Sequence, residues 1–370
     1  MVWNTPIRET ELLHALEEQL RVILPTGWVL SASYDHSESP DQHVDLVLEI
    51  EAPSDGRAQI LVEAKRYLEP QGVPAALRSF AHRAQVDERV NREKAGLLMA
   101  APYLSPRARD LLAQAGASWF DATGNLRLHL PRPMLFIDRA GASRRPHGEA
   151  LDRRLQSLKG RAAARVVRTL LDEPGPHRVR ALAARAGVGS ATGARVLDLL
   201  TRDAIVERGV SGVVTTVRKQ SLVRRWVEDY GLTTTNSVTP ALAPRGLHRL
   251  MRDLGSYRGP YAATGSAALR AYLPEEQAAV TPVSMLTLFV TDAVVARRDL
   301  HVRRVDRGAN VLLVEPFDPV VYKNTTFLDG VRCVSPGQAV ADLLTGPGRG
   351  SEEAAQLLGV LADTDEEWAE

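Results

Sequence analysis

The sequence predicts a multi-domain α/β chain, with an α/β unit at each end and a small, basic helical module between them. Three observations carry this expectation. Strand-like apolar runs, such as Val44–Ile50, Ile60–Lys65 and Met285–Val290, alternate with segments of helical periodicity. The length of 370 residues suits two or three domains, each of roughly 100–150 residues. Charge is unevenly placed: residues 151–230 hold 16 Lys and Arg against 8 Asp and Glu, a net of +8, while residues 1–150 carry −3 and residues 231–370 carry −4. The overall net charge of +1 hides this clustering, and clustering is what attracts a polyanion.

Other function classes are narrowed by composition. With 44% hydrophobic and 25% charged residues the chain reads as globular. No apolar run approaches the ~20 residues that cross a bilayer, and the N-terminus lacks a signal peptide's apolar core, so no membrane partner is expected. The single cysteine, Cys333, excludes an intrachain disulfide and a Cys-based zinc site. These features point to a reducing bacterial cytoplasm, near the nucleoid. Two breaks divide the chain: the Gly/Pro-containing stretch from Gly141 to Gly148, and the Thr/Ser/Asn-rich stretch from Thr233 to Pro244. They suggest units at 1–140, 148–232 and 240–370.

In the middle unit, Lys159 to Asp172 is a helix pattern with Ala163, Val166, Val167, Leu170 and Leu171 on one face, stopped by Pro174-Gly175-Pro176. Val179 to Ala186 is a second, short helix, ended by Gly187 in the left-handed region. Ser190 is placed to cap a third helix, Ala191 to Arg202. The alternating runs Ile205–Val210 and Val213–Val217 form a hairpin turning near Ser211-Gly212. Helix, short helix, tight turn, helix and hairpin make a winged helix-turn-helix, whose expected partner is double-stranded DNA. Its third helix should enter the major groove, bringing Ser190, Thr192 and Arg195 to base edges. Arg180, Arg185, Arg208 and Arg218 suit phosphate contacts, which fix position but read no sequence. Lys219 to Tyr230 reads as a further helix burying Leu222, Trp226 and Tyr230; bracing the module and forming a homodimer are both open to it.

The first unit runs helix (Thr10–Val22), strands (Val44–Ile50, Ile60–Lys65), helix (Leu77–Val90), strand (Ala95–Ala100), helix (from Ser105) and strands (Ser118–Phe120, Leu126–Leu130). Residues i and i+2 of a strand face one way, so Glu63 and Lys65 stand side by side, where Asp45 from the neighbouring strand meets them. This arrangement resembles the PD-(D/E)xK, or restriction-endonuclease-like, superfamily. The resemblance implies that Asp45, Glu63 and the Ala64 carbonyl hold Mg²⁺ while Lys65 helps activate water, and that an acid from the first helix, Glu17 or Glu18, joins them. Val44 stands where the superfamily's proline would be. The other reading of the three residues is an ion-pair cluster that no longer cuts.

In the last unit, Tyr261–Leu269, Asn310–Asp318 and Ser335–Leu344, together with the module upstream, resemble AbiEi-like antitoxins of type IV toxin–antitoxin systems. That resemblance implies a DNA-binding repressor with a C-terminal α/β domain and a cognate toxin or other protein partner. Gly265-Ser266 also has the look of a nucleotidyltransferase opening, but no pair of carboxylates follows on the next strand, so it reads as a helix-capping turn, and Glu315 and Asp318 as loop residues. The leading expectation is a transcriptional regulator that needs no cofactor to bind DNA. The alternatives are a Mg²⁺-dependent endonuclease delivered by the winged helix, and an antitoxin or scaffold that holds a protein.

Overall fold

Leu12, Leu13, Leu16 and Leu20 recur at helical spacing and bury one face of α1 (Glu9–Ile23). The structure, a computed structural model, describes residues 8–35, 44–53, 56–87, 95–144, 155–328 and 330–369. The chain divides into two compact units, the first ending near Arg153.

After α1 the first unit continues with β1 (Val29–Tyr34), β2 (Leu46–Glu51), β3 (Arg57–Ala64), α2 (Val73–Val86), β4 (Ala95–Ala101), α3 (Pro106–Gln114), β5 (Ser118–Asp121), β6 (Leu126–Pro131) and β7 (Met134–Arg139). The seven strands lie in sequence order. β3, β4 and β5 are parallel and the remaining neighbours antiparallel. Leu46, Leu48, Ile60 and Val62 pack with the α1 leucines. Val47, Leu61 and Met99 point the other way, onto Phe80 of α2 and Leu112 of α3. Helices therefore cover both faces, which is why the central strands read as nearly unbroken apolar runs. The helix expected over Leu77–Val90 begins earlier, at Val73, and residues 88–90 lie outside the described set. Ser105 caps α3 as expected, accepting from the Ala108 amide at 3.2 Å. The linker expected at 141–148 extends past Arg144, likewise beyond the described residues.

The second unit opens with α4 (Arg161–Asp172), α5 (Val179–Ala186), α6 (Ser190–Arg202), the hairpin β8 (Val206–Arg208) and β9 (Val214–Val217), and α7 (Lys219–Val227). It continues through α8 (Leu232–Thr235), β10 (Ser237–Leu242), α9 (Leu247–Asp253), β11 (Tyr261–Thr264), α10 (Ser266–Tyr272), β12 (Leu286–Val290), α11 (Ala293–Asp299), β13 (Arg303–Arg304), β14 (Val311–Glu315), β15 (Thr326–Leu328), β16 (Val331–Cys333), α12 (Pro336–Thr345) and α13 (Gly350–Thr364). Its second sheet is mixed, in the order β13-β10-β14-β12-β11-β16-β15. The break expected at Thr233–Pro244 is instead structured: Val238 and Thr239 pair with Val314 and Leu313, drawing the stretch into the sheet. One hydrophobic core runs from Leu158 through Trp226 to Trp368, so the helical module and the C-terminal sheet share it.

Most polar side chains that cross that core are hydrogen-bonded, as burial demands, with Arg168 Nη1 and the Tyr322 hydroxyl among the exceptions. Asp342 of α12 accepts from Tyr230 Oη (2.6 Å), Gln338 Nε2 (2.7 Å) and Thr264 Oγ1 (2.6 Å). The Gln338 carbonyl accepts from Arg168 Nε at 2.6 Å, and the Arg168 guanidinium lies 5.2 Å from the Trp226 ring centre. Lys219 joins Asp365 (2.6 Å) and Glu367 (3.0 Å). Asp318, expected as a loop residue, is fully buried and takes Arg165 Nε at 2.9 Å. Helix α4 is thereby tied to α12, and the start of α7 to the chain that follows α13.

Candidate nucleic-acid interface and acidic cluster

The turn between α5 and α6 depends on two glycines. Gly187 has φ +64°, a conformation costly for any residue with a Cβ, and it lets the Val188 amide reach the Ala183 carbonyl at 2.9 Å. Gly193 sits where α6 crosses α5; a Cβ there would come within 3.1 Å of the Ala183 methyl. α6 begins at Ser190 itself, and the carbonyl of Gly189 accepts from the amides of Thr192 and Gly193. Gly189 thus holds the capping position expected of Ser190, leaving the Ser190 side chain exposed on the outer face.

Arg195 lies five residues further along α6, about 140° round the helix axis from Ser190, and is exposed, with Nε on the Ala191 carbonyl at 3.3 Å. Thr192 is half-buried beside it. Arg178, at the N-cap of α5, and Arg180, in its first turn, are exposed and make no ion pair among the described residues. The other three arginines expected to touch phosphate are engaged within the protein. Arg185 pairs with Glu173 (2.6 Å) and the His177 ring (2.5 Å), Arg208 with Asp198 (2.9 Å), and Arg218 with Glu207. Arg165 and Lys219 are neutralised by Asp318, Asp365 and Glu367 from the C-terminal part of the unit. The net of +8 therefore overstates the free positive charge of the module, because acids far along the sequence fold back onto it.

The acidic cluster forms at one end of β2 and β3. Asp45 stands one residue before β2, not within a strand, and its Oδ2 accepts the Ala64 amide at 2.7 Å. Glu63, 2% exposed, receives Lys65 Nζ (2.5 Å) and the Arg83 guanidinium on the same oxygen, Oε1. Its Oε2 is buried with no hydrogen-bond partner. Lys65 follows the last residue of β3 and is kept in register by its amide on the Ala100 carbonyl, 2.8 Å. Burial first, and the Glu63 charge second, push the Asp45 carboxyl up to about 6, against the pull of the Ala64 amide and Lys65. The three residues singled out in the sequence are thus brought together.

The first-helix acid is placed differently from the expectation. Glu17 bonds the Tyr34 hydroxyl and Arg21 (2.6 Å), and the tyrosine bond above all holds its carboxyl below the usual range. Glu18 is exposed. Glu9, in the first turn of α1, is the helix residue whose charge raises Asp45. Arg83 was also unforeseen. It lies on α2 beside buried Phe80 and Ala84, and a cation on a helix's apolar face is the signal that marks it. No group of three or more His, Cys, Asp or Glu side chains suited to a metal occurs among the described residues. The oxygen donors of Asp45 and Glu63 nevertheless suit a hard cation, which would take up the unpartnered Oε2 and relieve the repulsion that raises Asp45. No helix among the described residues is long and apolar enough to cross a membrane. Comparisons with protein families, with curated proteins and with solved structures find no match.

Proposed function

We propose that the chain is a transcriptional regulator of the AbiEi-like kind, binding duplex DNA through a winged helix formed by α4–α6 and the β8–β9 wing. The observation that carries this reading is the outer face of the helix-turn-helix. There Ser190, Thr192 and Arg195 lie on the N-terminal half of α6, and Arg178 and Arg180 at the start of α5 are free of ion pairs. Arg195 suits a bidentate grip on guanine, Ser190 and Thr192 suit shorter base-edge bonds, and Arg178 and Arg180 suit phosphates. Arg185, Arg208 and Arg218 brace the module through Glu173, Asp198 and Glu207 and must exchange those pairs to reach DNA. Fluorescence anisotropy with the duplex upstream of the chain's own gene tests this. Arg195→Ala should weaken the preferred site by about 1–3 kcal/mol and relax its sequence preference. Wild-type affinity in that variant would remove α6 from the interface.

A second reading, a Mg²⁺-dependent endonuclease of the restriction-endonuclease-like kind, is favoured by the meeting of Asp45, Glu63 and Lys65 at one end of β2 and β3, where Glu63 Oε2 has no partner. Asp45 and Glu63 would hold the ion, which when bound supplies charge stabilisation at a phosphate and a more acidic water. Lys65 would orient that water once its ammonium leaves Glu63, with Arg83 keeping the carboxylate in place. Plasmid nicking by wild type and not by Lys65→Ala would support cutting; intact plasmid in both would leave a cluster that braces the fold.

A further inference from the structure

We infer that the C-terminal sheet carries a binding cleft for a small planar aromatic anion the size of a nucleoside monophosphate, held between tyrosine rings and two arginines. The cleft has a volume of about 460 Å³, inside the 300–1,000 Å³ range usual for small-molecule sites. It lies where the loop before β11, the 3₁₀ turn Pro319–Tyr322 and the β15–β16 hairpin meet, and its chemistry comes from Tyr257, Arg258, Tyr261, Tyr322, Phe327 and Arg332.

Four features point to such a ligand. Tyr257 and Tyr261 present tilted rings with centres 5.9 Å apart, and Phe327, on the terminal strand of the sheet, is 61% exposed. A large exposed aromatic beside two further rings offers π-faces on which a planar base can stack, a contact indifferent to base identity. Arg258 and Arg332 are exposed, and no carboxylate is among the described residues that line the cleft, so its charge is positive. Arg258 makes no ion pair among the described residues, and Arg332 spends only Nη1, on Thr325 Oγ1 at 3.3 Å. A guanidinium pair of this kind matches a phosphate's oxygens. Finally, the Tyr322 hydroxyl is buried without a partner, whereas Tyr261 Oη already accepts the Arg332 amide at 3.3 Å. Burial holds the Tyr322 phenol above its ordinary range, so at neutral pH it keeps its proton and can donate to a ring nitrogen or carbonyl. The hydroxyl is shielded behind the cleft wall, so a ligand makes this bond as the wall side chains yield, and gains by satisfying a donor that is costly to leave unmade.

Calorimetric titration of the full chain with AMP and GMP, with adenosine and inorganic phosphate as separated halves of the ligand, tests the cleft. A monophosphate should bind saturably, with adenosine and phosphate each weaker by about tenfold or more, since each keeps only one set of contacts. The double variant Arg258→Ala/Arg332→Ala should lose at least about tenfold, and Tyr322→Phe several-fold, with thermal unfolding unchanged because the two arginines are exposed and the hydroxyl bonds nothing. No saturable binding of either monophosphate at millimolar concentration would overturn the assignment. So would binding equal in wild type and both variants, or binding of a single-stranded oligonucleotide in place of the monophosphates.

Discussion

Replacing Asp342 by alanine and, separately, by asparagine distinguishes its charge from its capacity to accept hydrogen bonds. The carboxylate is 1% exposed and takes three donors, Tyr230 Oη, Gln338 Nε2 and Thr264 Oγ1, at 2.6–2.7 Å. Alanine strands all three inside the core. At about 1–3 kcal/mol for each buried donor left unmade, and with both hydroxyls free to turn toward other acceptors, the loss should be about 3–5 kcal/mol. Asparagine keeps Oδ1 for Tyr230 and Gln338 and turns its amide to Thr264, whose hydroxyl can accept. It also removes the cost of ionising a carboxyl that burial raises to about 6. Its stability should therefore stay within about 1.5 kcal/mol of wild type. Urea unfolding followed by fluorescence, with hydrogen exchange of the α4 and α12 amides to locate the change, measures both. Equal destabilisation by the two substitutions, or less than about 1 kcal/mol from alanine, would refute the role given to these bonds.

Three further outcomes follow from the same chemistry. Asp45, Asp172 and Asp342 all have carboxyls raised to about 6, chiefly by burial. Each holds its proton in the folded chain at pH values where the unfolded chain has lost it, so stability should fall as pH rises from about 4 through 6 and level off above. His177, lowered by burial and Arg185, opposes this over the same range. The lowered carboxyls of Glu17 and Asp365 add stability with pH only up to about 4.5, where the unfolded carboxyls have ionised; unfolding midpoints rising steadily from pH 5 to pH 7 would contradict the balance. Gly187→Ala should cost about 1–2 kcal/mol from its positive φ, since a Cβ there meets only Arg165 at 3.7 Å, and calorimetric melting checks it. Lys219→Met leaves Asp365 and Glu367 without their buried cation and should destabilise the second unit by about 2 kcal/mol, read by the same urea titration.

Local physics made part of this legible in the sequence. The strands of the first unit stand out because both faces of its sheet are covered, and Asp45, Glu63 and Lys65 meet because one β-ladder fixes their register. Helices α5 and α6 and the turn between them are readable from Gly187 and the apolar spacing of Val196, Leu197, Leu199 and Leu200. What escaped depends on partners distant in the chain. Thr233–Pro244 has turn-like composition, yet β10 is fixed by pairing with β14, more than seventy residues on. Counting charges could not show that Arg165 is paired with Asp318 or Lys219 with Asp365. Charged residues set into apolar helix faces, Arg83, Arg168 and Asp342, were the available sign that such pairing exists.

The most direct measurement is the salt dependence of duplex-DNA affinity for wild type and Arg180→Ala. With Arg178 and Arg180 as the phosphate-facing cations of α5 that make no ion pair among the described residues, the log–log slope should be about −2 per protomer, at roughly −0.9 for each phosphate neutralised. Arg180→Ala should reduce it by about one. A slope between about −4 and −5 would mean that the ion pairs of Arg185, Arg208 and Arg218 open on binding. No measurable binding, or affinity indifferent to salt, would contradict a DNA-reading function for α5 and α6.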